Sequence, residues 1–257
     1  MQIQAIRALK DNYIWLFATQ THCLIVDPGE SANVQNIINT HNWENISILI
    51  THHHYDHTAG LVTLLDDNPS AHSYGPNLST KHLRHHPIDT DHIDIDGFGQ
   101  WQVIATPGHT LDHLCYYKAA SPGILLCGDT LFSAGCGRVF EGTSTNLYNS
   151  LQRLRELPED TLVYAAHEYT LDNLAFATCI EPENSAIYAY KNQVNAKIKA
   201  NLPSLPSRIG VEHKINPFFR CSCQNIQKNI TKQCGIPCHN TIETFIQMRK
   251  LKDKFYV

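Results

Sequence analysis

The sequence contains no long apolar run. None approaches the roughly 18 residues needed to cross a bilayer, and the apolar stretches near Ile46 and Ile124 have strand length. Residues Met1 to Asn12 lack a basic region followed by an apolar core, so no secretory signal is expected. A surplus of one charge sign is also missing. Lys and Arg total 20 and Asp and Glu total 24, for a net charge of −4. That mild acidity, with basic residues scattered, argues against a nucleic-acid partner. There is no internal repeat or low-complexity tract, and the 42% apolar content excludes global disorder. Histidine is plentiful, with 16 residues, and so is cysteine, with nine. The cysteines are odd in number and far apart, so reduced thiols in a cytoplasmic, non-membrane protein are expected.

The 257 residues allow one large domain or two smaller ones. The first two thirds alternate strands, turns and helices. Strands are expected at Ile3 to Ala8, Tyr13 to Thr19, His22 to Val26, Ile46 to Thr51, Ala71 to Tyr74, Trp101 to Thr106, His113 to Lys118, Gly123 to Cys127 and Thr161 to Ala165. Helices are expected at Val34 to His41 and Leu147 to Glu156. Beyond Tyr169 the segments are mostly helical. Asn184 or Ser185 can cap a helix carrying Ile187, Tyr190, Val194 and Ile198, and Asn240 with Glu243 resembles a capping box. The resulting division is 1–170 and 171–257.

The segment Thr51-His52-His53-His54-Tyr55-Asp56-His57 follows an apolar strand and precedes a helix start. In extended backbone, His52 and His54 face one side and His53 the other. Asp56 and His57 follow where the chain turns, and can aim at a second point. Imidazole and carboxylate suit borderline divalent metals, and this spacing points to two neighbouring ions. His109, Asp129 and His167 sit at the ends of later strands and are the distal candidates. Asp27 and His113 are candidates to orient the ligands, although Asp27 before Pro28 reads equally well as a turn residue.

The T-H-x-H-x-D-H segment, a later Gly-His, a Gly-Asp-Thr and a late His resemble the metallo-β-lactamase superfamily. Further segments resemble the glyoxalase II, or hydroxyacylglutathione hydrolase, family. They are Leu9 to Tyr13, Thr106 to Thr110, Gly128 to Phe132, Gly135 to Arg138, His167 to Thr170, Asn216 to Phe218 and Met248 to Lys250. The resemblance implies an α/β chain with an αβ/βα four-layer sandwich as catalytic domain and a helical substrate-binding domain after it. It implies that His52, His54 and His109 bind one metal, Asp56, His57 and His167 a second, and that Asp129 bridges them. The ions implied are zinc, with iron and manganese as alternatives, and Asp56 and Asp129 take part in catalysis.

The activity so implied is hydrolysis of S-(2-hydroxyacyl)glutathione, chiefly S-D-lactoylglutathione, by metal-activated water. This is the second step of methylglyoxal detoxification, carried out by a monomer. Arg249 and Lys252, three apart on the last helix, match cations for the glycine carboxylate, and Tyr169 matches a residue lining the thiol side. Arg138 and Phe140 depart from the Lys and Tyr of many relatives: Arg138 keeps a cation, whereas Phe140 loses a hydroxyl. Alternatives are another enzyme of the superfamily, such as a single-iron glutathione-persulfide dioxygenase or a lactonase, or a metal-binding module without catalysis. His82, His85, His86 and His92 are expected in a solvated loop. Cys221, Cys223, Cys234 and Cys238 are expected as free thiols, since the first pair is too close for a zinc knuckle. Cys136 is read as a small residue at a tight turn rather than a nucleophile.

Overall fold

The computed structural model describes residues 1–41, 43–77 and 82–255. Tyr256 and Val257, which end the expected helical domain, lie outside the described residues. The first sheet runs in the order β1 (Gln2–Ala8), β2 (Asn12–Ala18), β3 (His22–Val26), β4 (Asn45–Leu49) and β5 (His72–Tyr74). The first three strands are antiparallel neighbours and the last three are parallel. The connections after β3 and β4 carry α1 (Ala32–His41), α2 (Tyr55–Thr58) and α3 (Leu61–Asp67). Every residue of β2 is buried. Its Tyr13, Trp15 and Phe17 enter the core between the sheets, while Ile14, Leu16 and Ala18 pack with Val34, Ile38, Leu61 and Leu64 of the covering helices. A strand covered on both faces must be apolar throughout, which is why β2 shows no polar alternation.

The second sheet contains β6 (His92–Ile95), β7 (Gly99–Ala105), β8 (Leu114–Lys118), β9 (Ile124–Gly128), β12 (Leu162–Ala165) and β13 (Ser207–Arg208), in the order β13-β12-β9-β8-β7-β6. A small hairpin, β10 (Leu131–Phe132) and β11 (Gly135–Cys136), follows β9. Between it and β12 lies α4 (Ser144–Arg155), whose Leu147, Leu151 and Leu154 join the core. The tail holds α5 (Thr170–Ile180), α6 (Ser185–Lys199), α7 (Ile209–Ile215), α8 (Gln224–Cys234) and α9 (Thr241–Asp253). Trp101, Tyr116 and Leu126 of the second sheet meet Trp15, Phe17 and Leu24 of the first.

Three details differ from the sequence reading. His92 opens strand β6 instead of lying in a loop, pairing with Gln102 while Ile93 faces Trp101. Helix α4 starts at Ser144, before Leu147, because Thr143 and Asn146 cap each other's backbone N–H groups. The tail is not purely helical either, since Ser207 and Arg208 extend the second sheet against Val163 and Leu162. Asn184 and Asn240 do cap α6 and α9, accepting from the N–H groups of Ala186 and Glu243.

A buried carboxylate ties the tail to the β10–β11 hairpin. Glu212 accepts from Ser133 Oγ (2.9 Å), Ala134 N (2.7 Å), Asn216 Nδ2 (3.0 Å) and Ser207 Oγ. Burial pushes its carboxyl up, and these donors work against that rise. Asn216 also donates to Phe132 O and Gly135 O, so it pins the β10–β11 hairpin beside Asp129.

Candidate metal centre

The chain leaves β4 into Thr51 and His52, and the strand parity holds. His52 and His54 turn to one side, while the His53 ring turns away toward Asp112 and Glu141. Four histidines are anchored through Nδ1. His57 donates to Asp27 Oδ2 (3.0 Å), His109 to Arg138 O (2.8 Å) and His167 to Asp11 Oδ1 (2.8 Å). His52 Nδ1 lies 3.0 Å from Thr51 Oγ1, and that hydroxyl already donates to Asp27 Oδ2 at 2.7 Å, leaving its lone pairs for the imidazole. With Nδ1 donating, each ring turns its Nε2 to the centre.

Those nitrogens converge. His54 Nδ1 lies 3.0 Å from both His52 Nε2 and His109 Nε2. Three donors about 2.0–2.1 Å from one tetrahedral cation stand about 3.3 Å apart, so the trio fits such an ion. On the other side, His57 Nε2 lies 3.5 Å from Asp56 Oδ2 and 3.6 Å from Asp129 Oδ1. His167 Nε2 lies 3.4 and 3.3 Å from the same two oxygens. Asp129 Oδ2 faces the first set, 3.4 Å from His109 Nε2. One carboxylate thus turns an oxygen to each cluster. His57 Nε2 and Asp129 Oδ1 are buried with no hydrogen-bond partner. Such orphans are costly, and a cation among these donors would satisfy both. The groups His52/His54/His109, His52/His57/Asp129 and Asp56/His57/His167 can each hold an ion.

The electrostatics divide the same way. Burial holds His52 well below its usual range and lowers His54 and His109 as well, so the first set stays neutral. Burial also opposes charge on His57 and His167, but Asp129 and the carboxylates behind each ring outweigh it, and His167 is raised to about 9. Desolvation resists ionisation of Asp129, yet His167, His57 and His109 hold its carboxyl well below the usual carboxylate range. Four carboxylates, Asp11, Asp27, Asp56 and Asp129, surround the site. Their charge would balance two divalent cations.

The supporting residues resolve the open sequence readings. Asp27 is both a turn residue and an orienting group. Its φ is 51°, an uncommon conformation for a side-chain-bearing residue, and it binds Thr51 N, Thr51 Oγ1 and His57. His113 does not touch the other rings through hydrogen bonds. Its Nε2 accepts from Asp129 N at 3.1 Å, and its Nδ1 meets Thr106 Oγ1 at 2.9 Å. It therefore positions the aspartate backbone. Gly128 has φ 45°, and a Cβ there would lie 2.5 Å from Thr51 Oγ1 and 2.7 Å from His113 Nε2. Sequence reasoning gave no role to Asp11, which holds His167, or to Asn12, whose amide donates to Asp56 Oδ2 at 3.0 Å. Their signal was two polar residues at a tight turn inside the Leu9 to Tyr13 segment.

A cavity of about 430 Å³ opens beside Asp129 and His109 and is lined by Arg138, Phe140, Tyr169, Arg249 and Lys252 among others. The Tyr169 ring stacks on His167, 4.7 Å between centroids, and Phe140 stands edge-on to His54 and His109. Arg249 is buried, whereas Phe140 is 60% exposed. A larger cavity, about 660 Å³, lies behind the Asp11–Asn12 turn, away from the converging nitrogens. Burial pushes the Cys136 thiol up to about 11, and the Cys136 carbonyl, not its sulfur, makes the shorter bond to Arg249. Among the described residues, no cluster of three ligands includes a cysteine.

Residues 9–167 match the metallo-beta-lactamase superfamily, and residues 168–255 match the hydroxyacylglutathione hydrolase C-terminus. The hydroxyacylglutathione hydrolase of Pseudoalteromonas translucida is 45% identical over 260 residues, covering 99% of this chain and all of that protein. The one from Aeromonas hydrophila is 44% identical, covering 96% and 97%. Among solved structures, ETHE1 from Myxococcus xanthus aligns with a TM-score of 0.64 at 22% identity, over 98% of this chain and 100% of that one. The BLEG-1 B3 metallo-beta-lactamase also gives 0.64, at 21% identity over 85% and 99%. These two likenesses establish the fold, while the full-length relatives establish more: the chain belongs to the hydroxyacylglutathione hydrolase family of the metallo-beta-lactamase superfamily.

Proposed function

We propose that this chain hydrolyses S-(2-hydroxyacyl)glutathione thioesters, chiefly S-D-lactoylglutathione, to glutathione and the 2-hydroxy acid. The observation that carries the reading is a complete double set of His and Asp donors opening directly onto a cavity lined by cations. In this reading His52, His54 and His109 hold one ion, Asp56, His57 and His167 the other, and Asp129 serves both. The donors suit zinc, and also iron or manganese. When bound, two such cations supply water activated at neutral pH and a Lewis acid for the thioester carbonyl.

The chain's own residues do the rest. Asp56, held by Asn12, presents a carboxylate beside the reacting centre that can accept a proton from the attacking water. Tyr169 and Phe140 wall the thiol end. Lys252, Arg249 and Arg138 supply the positive field for the carboxylates of glutathione. The departing thiolate has a pKa of about 8.5, so it leaves without a dedicated acid. A division near residue 170 into catalytic and substrate-binding parts is supported by the two family matches, which meet at residues 167 and 168. Nine free thiols favour a reducing, cytoplasmic setting, and no described helix is long and apolar enough to cross a membrane. A monomer suffices, because one chain supplies every donor.

The test is thiol release from S-D-lactoylglutathione by the purified, metal-loaded chain, run beside a lactone and a glutathione persulfide. Thioester cleavage faster than the other two by at least about a hundredfold is expected. Preference for the lactone or the persulfide would overturn the reading.

A further inference from the structure

His53 lies between two of the converging histidines and has no atom in their cluster. Its Nδ1 lies 3.0 Å from Asp112 Oδ1 and its Nε2 lies 3.0 Å from Glu141 Oε1. The two carboxylates come from different loops. Asp112 follows His109, and its side chain is 1% exposed. Glu141 follows Arg138 and Phe140. Its other oxygen accepts from Leu111 N at 2.9 Å, and the N–H groups of Phe140 and Glu141 both reach His109 O, at 3.1 and 3.4 Å. Phe140 stands 5.5 Å from the His54 ring and 5.2 Å from His109. The His53 ring therefore joins the histidine segment to the loop that walls the cavity. One nitrogen of the ring and an oxygen from each carboxylate stand close enough together to form a small cation group, but the ring's two nitrogens each face their own carboxylate.

We propose that His53 is a positioning residue: through Glu141 it holds the 138–141 segment, and with it Phe140 and Arg138, at the edge of the substrate cavity. This rests on the thioester-hydrolase reading above and adds a residue that sets substrate affinity rather than chemistry. Freed from His53, the segment keeps its bonds to His109 and Leu111 but loses its tie to the histidine segment. The Phe140 side chain that walls the cavity should loosen together with that of Glu141, while the segment's backbone stays bonded to His109 and the metal donors stay in place.

The experiment measures kcat, KM and bound metal for the metal-loaded wild type, His53→Ala, Glu141→Ala, the double variant and Glu141→Gln. Each alanine variant should raise KM about fivefold, the upper end for one partly exposed ion pair. kcat should change by less than about twofold, with two metals per chain retained. The double variant should fall clearly short of the sum of the two single effects, because both break the same link while each also loses one contact of its own, Glu141 to Leu111 N and His53 to Asp112. Glu141→Gln, which keeps an oxygen acceptor, should return KM to within about twofold of wild type. An unchanged KM in Glu141→Ala, or additive effects in the double variant, would overturn the proposal. So would metal loss in His53→Ala, which would mean that His53 acts on the ligands and not on the loop. A wild type that fails to cleave the thioester would instead sink the functional reading itself, which separates the two failures.

Discussion

Replacing Asp129 with Asn is expected to lower kcat for thioester cleavage by about a thousandfold or more, equivalent to about 4 kcal/mol of lost transition-state stabilisation. The same variant should retain fewer than two metals per chain. The side chain keeps its shape but changes its chemistry. One oxygen of Asp129 faces His109 at 3.4 Å, and the other faces His167 and His57 at 3.3 and 3.6 Å. An amide leaves one acceptor and puts an N–H donor where a second cation needs an anion. It also removes one of the four negative charges that would balance two ions. His113 still accepts from the residue 129 backbone N–H, so the loop should stay in place. Metal analysis, steady-state kinetics and circular dichroism on one preparation separate loss of the centre from loss of the fold. A variant with native metal content and more than about a tenth of wild-type turnover would remove the bridging role.

The second large effect concerns the two cations of α9, which the structure does not treat alike. A guanidinium has five N–H donors. In Arg249, Nε and Nη2 both reach Asp253 Oδ1, at 3.1 and 3.0 Å, and Nη1 reaches Cys136 O and Gly137 O, at 2.9 and 3.3 Å. Only one N–H is left for a ligand, and the side chain is buried over the Phe218 ring. Lys252 is freer. Its Nζ makes a 3.4 Å contact with Asp172 O and sits 5.5 Å from the centroids of Phe176 and Phe255. Burial and the neighbouring Arg249 lower its pKa, so an incoming carboxylate would relieve an unfavourable charge.

Arg249→Ala should therefore unfold more easily, by about 2–3 kcal/mol once the one-third exposure of Asp253 is discounted. That corresponds to a fall in Tm of about 5–10 °C. Lys252→Ala should raise KM about tenfold and move Tm by less than about 2 °C. Thermal unfolding with kinetics on both variants checks this, and the reverse assignment of effects would show that Arg249 is the principal anion anchor.

Although Asp56 and His57 lie in α2, the proposed donors were candidates from the sequence, because His52, His109, Asp129 and His167 follow apolar strands and because strand parity separates His52 and His54 from His53. The groups behind them were not. His167 takes its anchor from Asp11, 156 residues away. That meeting depends on the β1–β2 turn lying against the end of β12, where Asn12 and His167 form an isolated bridge. No local pattern encodes such a register. His113 was expected to orient a ligand ring and instead accepts from Asp129 N, since spacing from His109 says nothing about the path of the Gly128–Asp129 backbone. Asp253 lies on the same face as Arg249, four residues on, yet its simultaneous pairing with Arg138 requires α9 to dock on the 135–138 turn. The start of α4 was hidden because the reciprocal cap uses Asn146 where a Glu or Gln is the usual signature. β13 was hidden because two residues after Pro206 carry no periodicity.

The most direct test of the account is a metal titration of the stripped chain, with S-D-lactoylglutathione cleavage and bound metal measured on the same samples. The donor geometry predicts no turnover without metal and full recovery at two equivalents of zinc per chain. Substantial turnover in metal-free protein, or a plateau reached at one equivalent, would contradict it.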